Sequence, residues 1–100
     1  MEEHIRKYLP NGTYEDLSTP MDWDTVRQGI GGYIEVVHWN GLHLLCDEEG
    51  KIKGEPLTLF LDQQSFVGTV FVGYLEQDGT LSPVPDEQLE QLDQHIWQLA

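Results

Sequence analysis

The chain has 100 residues, 39% hydrophobic and 10% aromatic, which suits one folded domain (1–100) with a single modest core and leaves no room for a second. It carries 18 acidic and five basic side chains, a net charge of −13, and such a surface repels a phosphate backbone, so direct binding of nucleic acid is not expected. No apolar run approaches membrane-spanning length and the opening MEEHIRKYLP has no signal-like apolar region, which predicts a cytoplasmic protein without membrane contact.

In chain order, Asn11-Gly12 predicts a hairpin within Ile5 to Leu17, with Leu9 opposite Tyr14 and Lys7 opposite Asp16. Pro10 removes a backbone donor beside that turn. A short helix follows, for which Thr19 suits the N-cap and Pro20 the first helical position. Trp23, Val26 and Ile30 give it one buried stripe, and Gly29, Gly31 and Gly32 are expected to end it. These glycines follow a helix C-terminus, where the dipole is negative, so they read as caps and not as a phosphate cradle.

Gly31 to Gly50 holds the strongest signal: two β-rich runs, Tyr33 to Trp39 and Leu42 to Cys46, joined by Asn40-Gly41. A type I′ turn needs positive φ at both central residues, which Asn-Gly supplies. The register then follows by counting outward: Trp39 opposite Leu42, His38 opposite His43, Val37 opposite Leu44, Glu35 opposite Cys46, Tyr33 opposite Glu48. Both faces of this hairpin are largely apolar, which places it centrally in a sheet covered on both sides, or leaves one face for a partner.

Beyond the acidic turn Asp47 to Lys51, Gly54 and Pro56 argue against a regular central strand until Leu57 to Leu61, a run that reads either as a strand or as the start of a short helical turn. Phe66 to Leu75 reads as one long strand whose Gly68 and Gly73 mark a bulge or a close backbone approach. Asp78-Gly79 forms a third hairpin turn, and Pro83 and Pro85 end the returning strand. From Asp86, the residues Leu89, Leu92, Ile96 and Leu99 predict an amphipathic C-terminal helix. The expected fold is therefore α+β: a mixed, mostly antiparallel sheet of about five or six strands built from hairpins, with one short helix after the first hairpin and the C-terminal helix packed on the sheet.

Three constellations offer chemistry. His38 and His43, opposed across the hairpin, are a candidate metal pair with Asp47 or Glu35, yet parity sends Glu35 to the other face, so no metal and no cofactor is expected. Glu35 and Glu48 share a face one pair step apart, an arrangement that can raise one carboxyl pKa, but no nucleophile or oxyanion donor accompanies them and no catalytic residue is assigned. The lone Cys46 reads as a buried structural thiol. Tyr33, Trp39, Tyr74 and Trp97 offer flat apolar surfaces; with Glu35 and the histidines they are candidates for a pocket that takes a planar ligand.

GGYIEVV, followed by CDEEGKIKGEPL and FVGTVFVGY, resembles an uncharacterised family of small proteins of phages, plasmids and bacteria. That family's pattern is a Gly-Gly-Tyr-Ile-Glu-Val-Val strand, an Asn/Asp-Glu-x-Gly turn, a Gly-x-Pro-x-Asn segment and an Ile/Val-Val-Gly strand, and the match runs roughly from Gly31 to Tyr74. Thr58 stands where the pattern has Asn. The resemblance implies an accessory protein of mobile elements, for which antagonism of host defence is the expected role. The reading that results is a non-enzymatic binding protein that sequesters a small nucleotide-like signal through Tyr33, Glu35, Trp39, His38, His43 and Glu48, as a possible homo-oligomer. The alternative is an acidic nucleic-acid mimic that occupies the basic groove of a host defence protein through Glu87, Glu90 and Asp93.

Overall fold

The computed structural model describes residues 2–98, which form ten strands and three helices. Strand β1 (Glu3–Tyr8) pairs with β2 (Tyr14–Leu17); helix α1 (Trp23–Ile30) leads into the hairpin of β3 (Ile34–Trp39) and β4 (Leu42–Asp47). A single-turn helix α2 (Gly50–Lys53) precedes β5 (Leu57–Leu61), β6 (Gln64–Val67) and β7 (Val70–Leu75). The short strands β8 (Leu81–Ser82) and β9 (Val84–Pro85), helix α3 (Asp86–Asp93) and β10 (Ile96–Trp97) complete the described chain.

The main sheet runs β2-β1-β7-β4-β3, with β8 added to β7 and β9 to β1; β10, β5 and β6 form a second sheet. All the ladders are antiparallel among the described residues. The class is α+β as expected, but two sheets replace the single sheet of five or six strands. Apolar side chains on both faces of the main sheet explain the layering. Val26 and Ile30 of α1 pack with Leu45, Phe71 and Ile5 on one face, while Leu89 and Leu92 of α3, with Leu59, Leu61 and Phe66 of the second sheet, pack on Leu42, Leu44 and Val72 on the other. No helix among the described residues is long and apolar enough to cross a membrane.

The β3–β4 register is the one the sequence dictates, residue for residue from Trp39↔Leu42 to Glu35↔Cys46. The backbone bond from Glu48 N to Tyr33 O extends it at 2.9 Å. The hairpin is not central, however: β4 lies inside the sheet and β3 is its edge.

Elsewhere the expectations need correction. In the first hairpin the pairs are Tyr8↔Tyr14, Lys7↔Glu15 and Arg6↔Asp16, one residue away from the expected register. Pro10, with its fixed φ, starts the turn one residue early, so Pro10-Asn11-Gly12 is a three-residue loop closed by Leu9 N to Thr13 O at 3.0 Å. Helix α1 is capped by Asp22, which accepts from the Thr25 N–H at 2.7 Å, and not by Thr19. Trp23 is 37% exposed and so not part of the buried stripe. Gly29 lies inside the helix, where a Cβ would stand 2.9 Å from the Phe71 ring; its role is close packing, and Gly31 is the cap.

The run from Phe66 to Leu75 is two strands in two different sheets. Gly68, at φ +70°, turns the chain between them, and its carbonyl accepts from the buried Thr58 hydroxyl. The C-terminal helix stops at Asp93, and Ile96 pairs with Leu61 as a strand; Leu99 lies outside the described residues.

Candidate binding cleft

The residues quoted for the family resemblance converge. Gly31-Gly32 ends α1, Asp47 to Gly50 links β4 to α2, Glu55 follows α2, and Gly68 follows β6; Gly32 and Gly50 lie against the buried carboxylate of Asp47, and Gly50 and Gly68 against that of Glu55. Lys53 Nζ donates to Asp47 Oδ2 at 2.7 Å and to the Gly31 carbonyl at 3.3 Å, while the Glu49 N–H donates to Asp47 Oδ1 at 2.9 Å. Burial alone would raise the Asp47 carboxyl, but the Lys53 ammonium and the Glu49 N–H outweigh it and hold it below its ordinary value. Glu55 is pushed the other way, by its own burial and by the Asp47 charge. Glycines make room for the cluster: a Cβ at Gly32 would stand 2.7 Å from Lys53 Nζ, and one at Gly50 would stand 2.8 Å from Glu55 Oε2.

Above the Lys53 side of this cluster lies an open cleft of about 390 Å³, lined by Arg27, Gln28, Gly31, Gly32, Tyr33, Glu49 and Lys53. The Tyr33 ring is 70% exposed beside it. Arg27 has no ion-pair partner among the described residues. Because α1 ends here, its carbonyls and not its amides are nearest, so any attraction for an anion must come from Arg27 and Lys53. Gln28 and Glu49 add one amide and one carboxylate, the groups that read the edge of a heterocycle.

The six candidate ligand residues fall in different places. Tyr33 lines this cleft. Glu35 and Glu48 do come together, with Lys51 and Cys46, but in a crevice of about 80 Å³, too small for an organic ligand. Burial, then the charges of Glu35 and Asp47, push the Cys46 thiol up to about 11, in keeping with a structural role. Trp39 is half-buried against the core, with its ring 5.1 Å from the His95 ring. His38 and His43 meet edge to face at 4.6 Å, nearer the turn of the hairpin than Asp47 is, and His43 also lies 5.0 Å from the Tyr74 ring. His43 Nδ1 accepts the Leu75 N–H at 2.7 Å, so that nitrogen is committed to the backbone, and Asp47 is committed to Lys53.

Of the acids on α3, Glu87 and Glu90 are exposed. Asp93 instead holds the fold together, accepting from Arg6 Nη1 at 2.7 Å and from the Tyr8 hydroxyl at 2.5 Å. Arg6 is buried and also donates twice to Asp16.

Sequence reasoning did not place Arg27, Gln28, Glu49 or Lys53 in a site. Part of the signal was present in the sequence, because Gly31-Gly32 and the acidic turn at Glu49 are two of the segments that line the cleft. No curated protein and no solved structure matches the chain. The family model described as "Domain of unknown function (DUF3846)" matches residues 10–96. The chain therefore belongs to the DUF3846 family, a family of unknown function.

Proposed function

We propose that the protein is a non-enzymatic binding protein that takes up a small planar, weakly anionic, nucleotide-like molecule in the cleft at the end of α1. One observation carries this reading: an exposed tyrosine, an arginine without an ion-pair partner among the described residues and a lysine share one concave site in a chain with only five basic residues. Tyr33 supplies a stacking face, Arg27 a forked donor for a phosphate, and Gln28 or Glu49 a partner for the ring edge.

The charge balance narrows the ligand. Lys53 is already shared with Asp47 and Gly31, and Glu49 lies on the rim, so Arg27 is the main free positive group. That favours a mononucleotide or a cyclic nucleotide over a triphosphate, whose charge the cleft would not neutralise. The resemblance to phage and plasmid proteins supports the further reading that the captured molecule is a signal of a host defence pathway.

The alternative, an acidic inhibitor that mimics nucleic acid, draws less support from the fold. Asp93, one of its three contact residues, is spent on Arg6 and Tyr8.

Native mass spectrometry of protein purified from its host cells, followed by denaturation, tests the proposal. A released small molecule with nucleobase absorbance, lost from Tyr33→Ala protein, is the expected result. A bare chain that instead co-purifies with a protein, in a salt-sensitive complex weakened by Glu87→Gln and Glu90→Gln, would overturn it.

A further inference from the structure

Far from the cleft, the two ends of the described chain build a second set of donors. Glu2 and His4 alternate onto one side of the β1 segment, and Asp86 opens α3. One ligand atom from each of the three lies within 4.8 Å of the other two. In the main sheet two strands, β7 and β4, separate β1 from β3, so this corner shares nothing with the site around Tyr33.

We infer that Glu2, His4 and Asp86 form a binding site for a divalent transition-metal ion of the zinc or manganese class. An imidazole with two carboxylates is an ordinary ligand set for such ions, and three protein ligands leave the remaining positions to water. The backbone is fixed on both sides of the site. The β1–β9 ladder pairs Glu3 with Pro85 and His4 with Val84, and the Asp86 N–H donates to the Glu2 carbonyl at 3.0 Å. With the backbones held, only side chains need to adjust: His4 and Asp86 part from hydrogen-bonding distance to admit an ion whose bonds are roughly 2.1 Å long.

Charge gives the second argument. His4 Nδ1 stands 2.6 Å from Asp86 Oδ1 and is only partly exposed, so the pair is shielded from solvent on one side. The basic side chain nearest in sequence, Arg6, is occupied by Asp16 and Asp93 and cannot neutralise the two carboxylates. The whole chain carries −13, which concentrates cations around it. A divalent ion replaces the proton shared by His4 and Asp86 and draws in the exposed Glu2, closing β1 onto the start of α3. His38 and His43 offer no comparable set, because His43 Nδ1 is bound to Leu75.

The test uses the full chain freed of metal by chelation, titrated with Zn²⁺ or Mn²⁺ alone. Calorimetry and native mass spectrometry are expected to show one equivalent bound, with a rise in Tm. Binding weakens at least tenfold in His4→Ala and Asp86→Asn and several-fold in Glu2→Gln, an exposed position whose change leaves the fold intact, and it is unchanged in His38→Ala. In the unaltered protein, broadening of amide resonances by Mn²⁺ is expected to be strongest around residues 2–5 and 84–87. Failure to bind at millimolar metal, binding that survives Glu2→Gln and His4→Ala undiminished, or broadening centred on His38 and His43 would overturn the site.

Discussion

The Lys53 ammonium donates to the Asp47 carboxylate at 2.7 Å, and the carboxylate side chain is only 1% exposed while the lysine is 41% exposed. The pair therefore works as a peg. Asp47, fixed from beneath by the Glu49 N–H, sets the lysine at the rim of the cleft, where it also reaches the Gly31 carbonyl. Asp47→Asn is expected to release Lys53 and weaken ligand capture several-fold, with the loss appearing in the affinity and little of it in the fold as read by circular dichroism.

Glu55 and Asp47 respond oppositely to pH. The Asp47 carboxyl is held below its ordinary value of 3.8, so the stability it contributes is present above that pH and lost as pH falls through the folded value. Glu55 is raised above 4.5, so its contribution is present below 4.5 and lost as pH rises through its folded value. Its Oε2 is buried without a hydrogen-bond partner among the described residues. Glu55→Gln is thus expected to raise Tm by a few degrees at neutral pH and to make no difference below about pH 4, a contrast that paired thermal melts across pH will show.

His43 should give a separate titration. Burial, and then the neighbouring His38, lower its pKa below 6.5, and its Nδ1 must stay unprotonated to accept from Leu75. Its contribution is present above pH 6.5 and lost as pH falls through the folded value. His4, raised by its bond to Asp86 against a smaller opposing effect of burial, acts in the opposite sense, so the two must be separated by difference. Subtracting the melt profile of His43→Asn from that of the unaltered protein should leave a loss of stability confined to pH below 6.5. A flat difference would mean that the bond to Leu75 does not depend on the imidazole.

Gly29 provides a test of packing in which the sign is informative. Ala in place of Gly inside an exposed helix ordinarily gains about 0.5–1 kcal/mol. Here the new methyl would meet the buried Phe71 ring at 2.9 Å, and overpacking of that kind costs about 1–3 kcal/mol. Gly29→Ala should therefore destabilise on balance, which chemical denaturation will measure directly.

The β3–β4 hairpin was legible because a two-residue loop with Asn-Gly admits one register, and every side chain on both strands follows from it. The same dipeptide misled at Asn11-Gly12, where Pro10 favours a three-residue loop and a slip of one residue reverses the partners. Phe66 to Leu75 concealed two strands because the apolar run does not pause; only the positive φ of Gly68 separates them, and a glycine in a strand has several readings. Leu89, Leu92 and Ile96 fit a helical rhythm, yet Ile96 turns to pair with Leu61, since a tertiary ladder outweighs a four-residue spacing. The site was less legible still. Arg27, Tyr33 and Lys53 come from the end of one helix, the approach to a strand and a helix of a single turn too short to announce itself. The Glu2, His4 and Asp86 donors come from opposite ends of the chain, and no local spacing joins them.

The most direct test of the cleft is an amide NMR titration with a panel of nucleoside monophosphates and cyclic mono- and dinucleotides. The account predicts that at least one of them shifts Gly31, Gly32 and Tyr33 together, with saturation, and that Tyr33→Ala and Arg27→Gln abolish the response while leaving the remaining spectrum in place. If every compound leaves those three residues unmoved at millimolar concentration, or if the shifts centre on another face of the sheet, the cleft is not a nucleotide site.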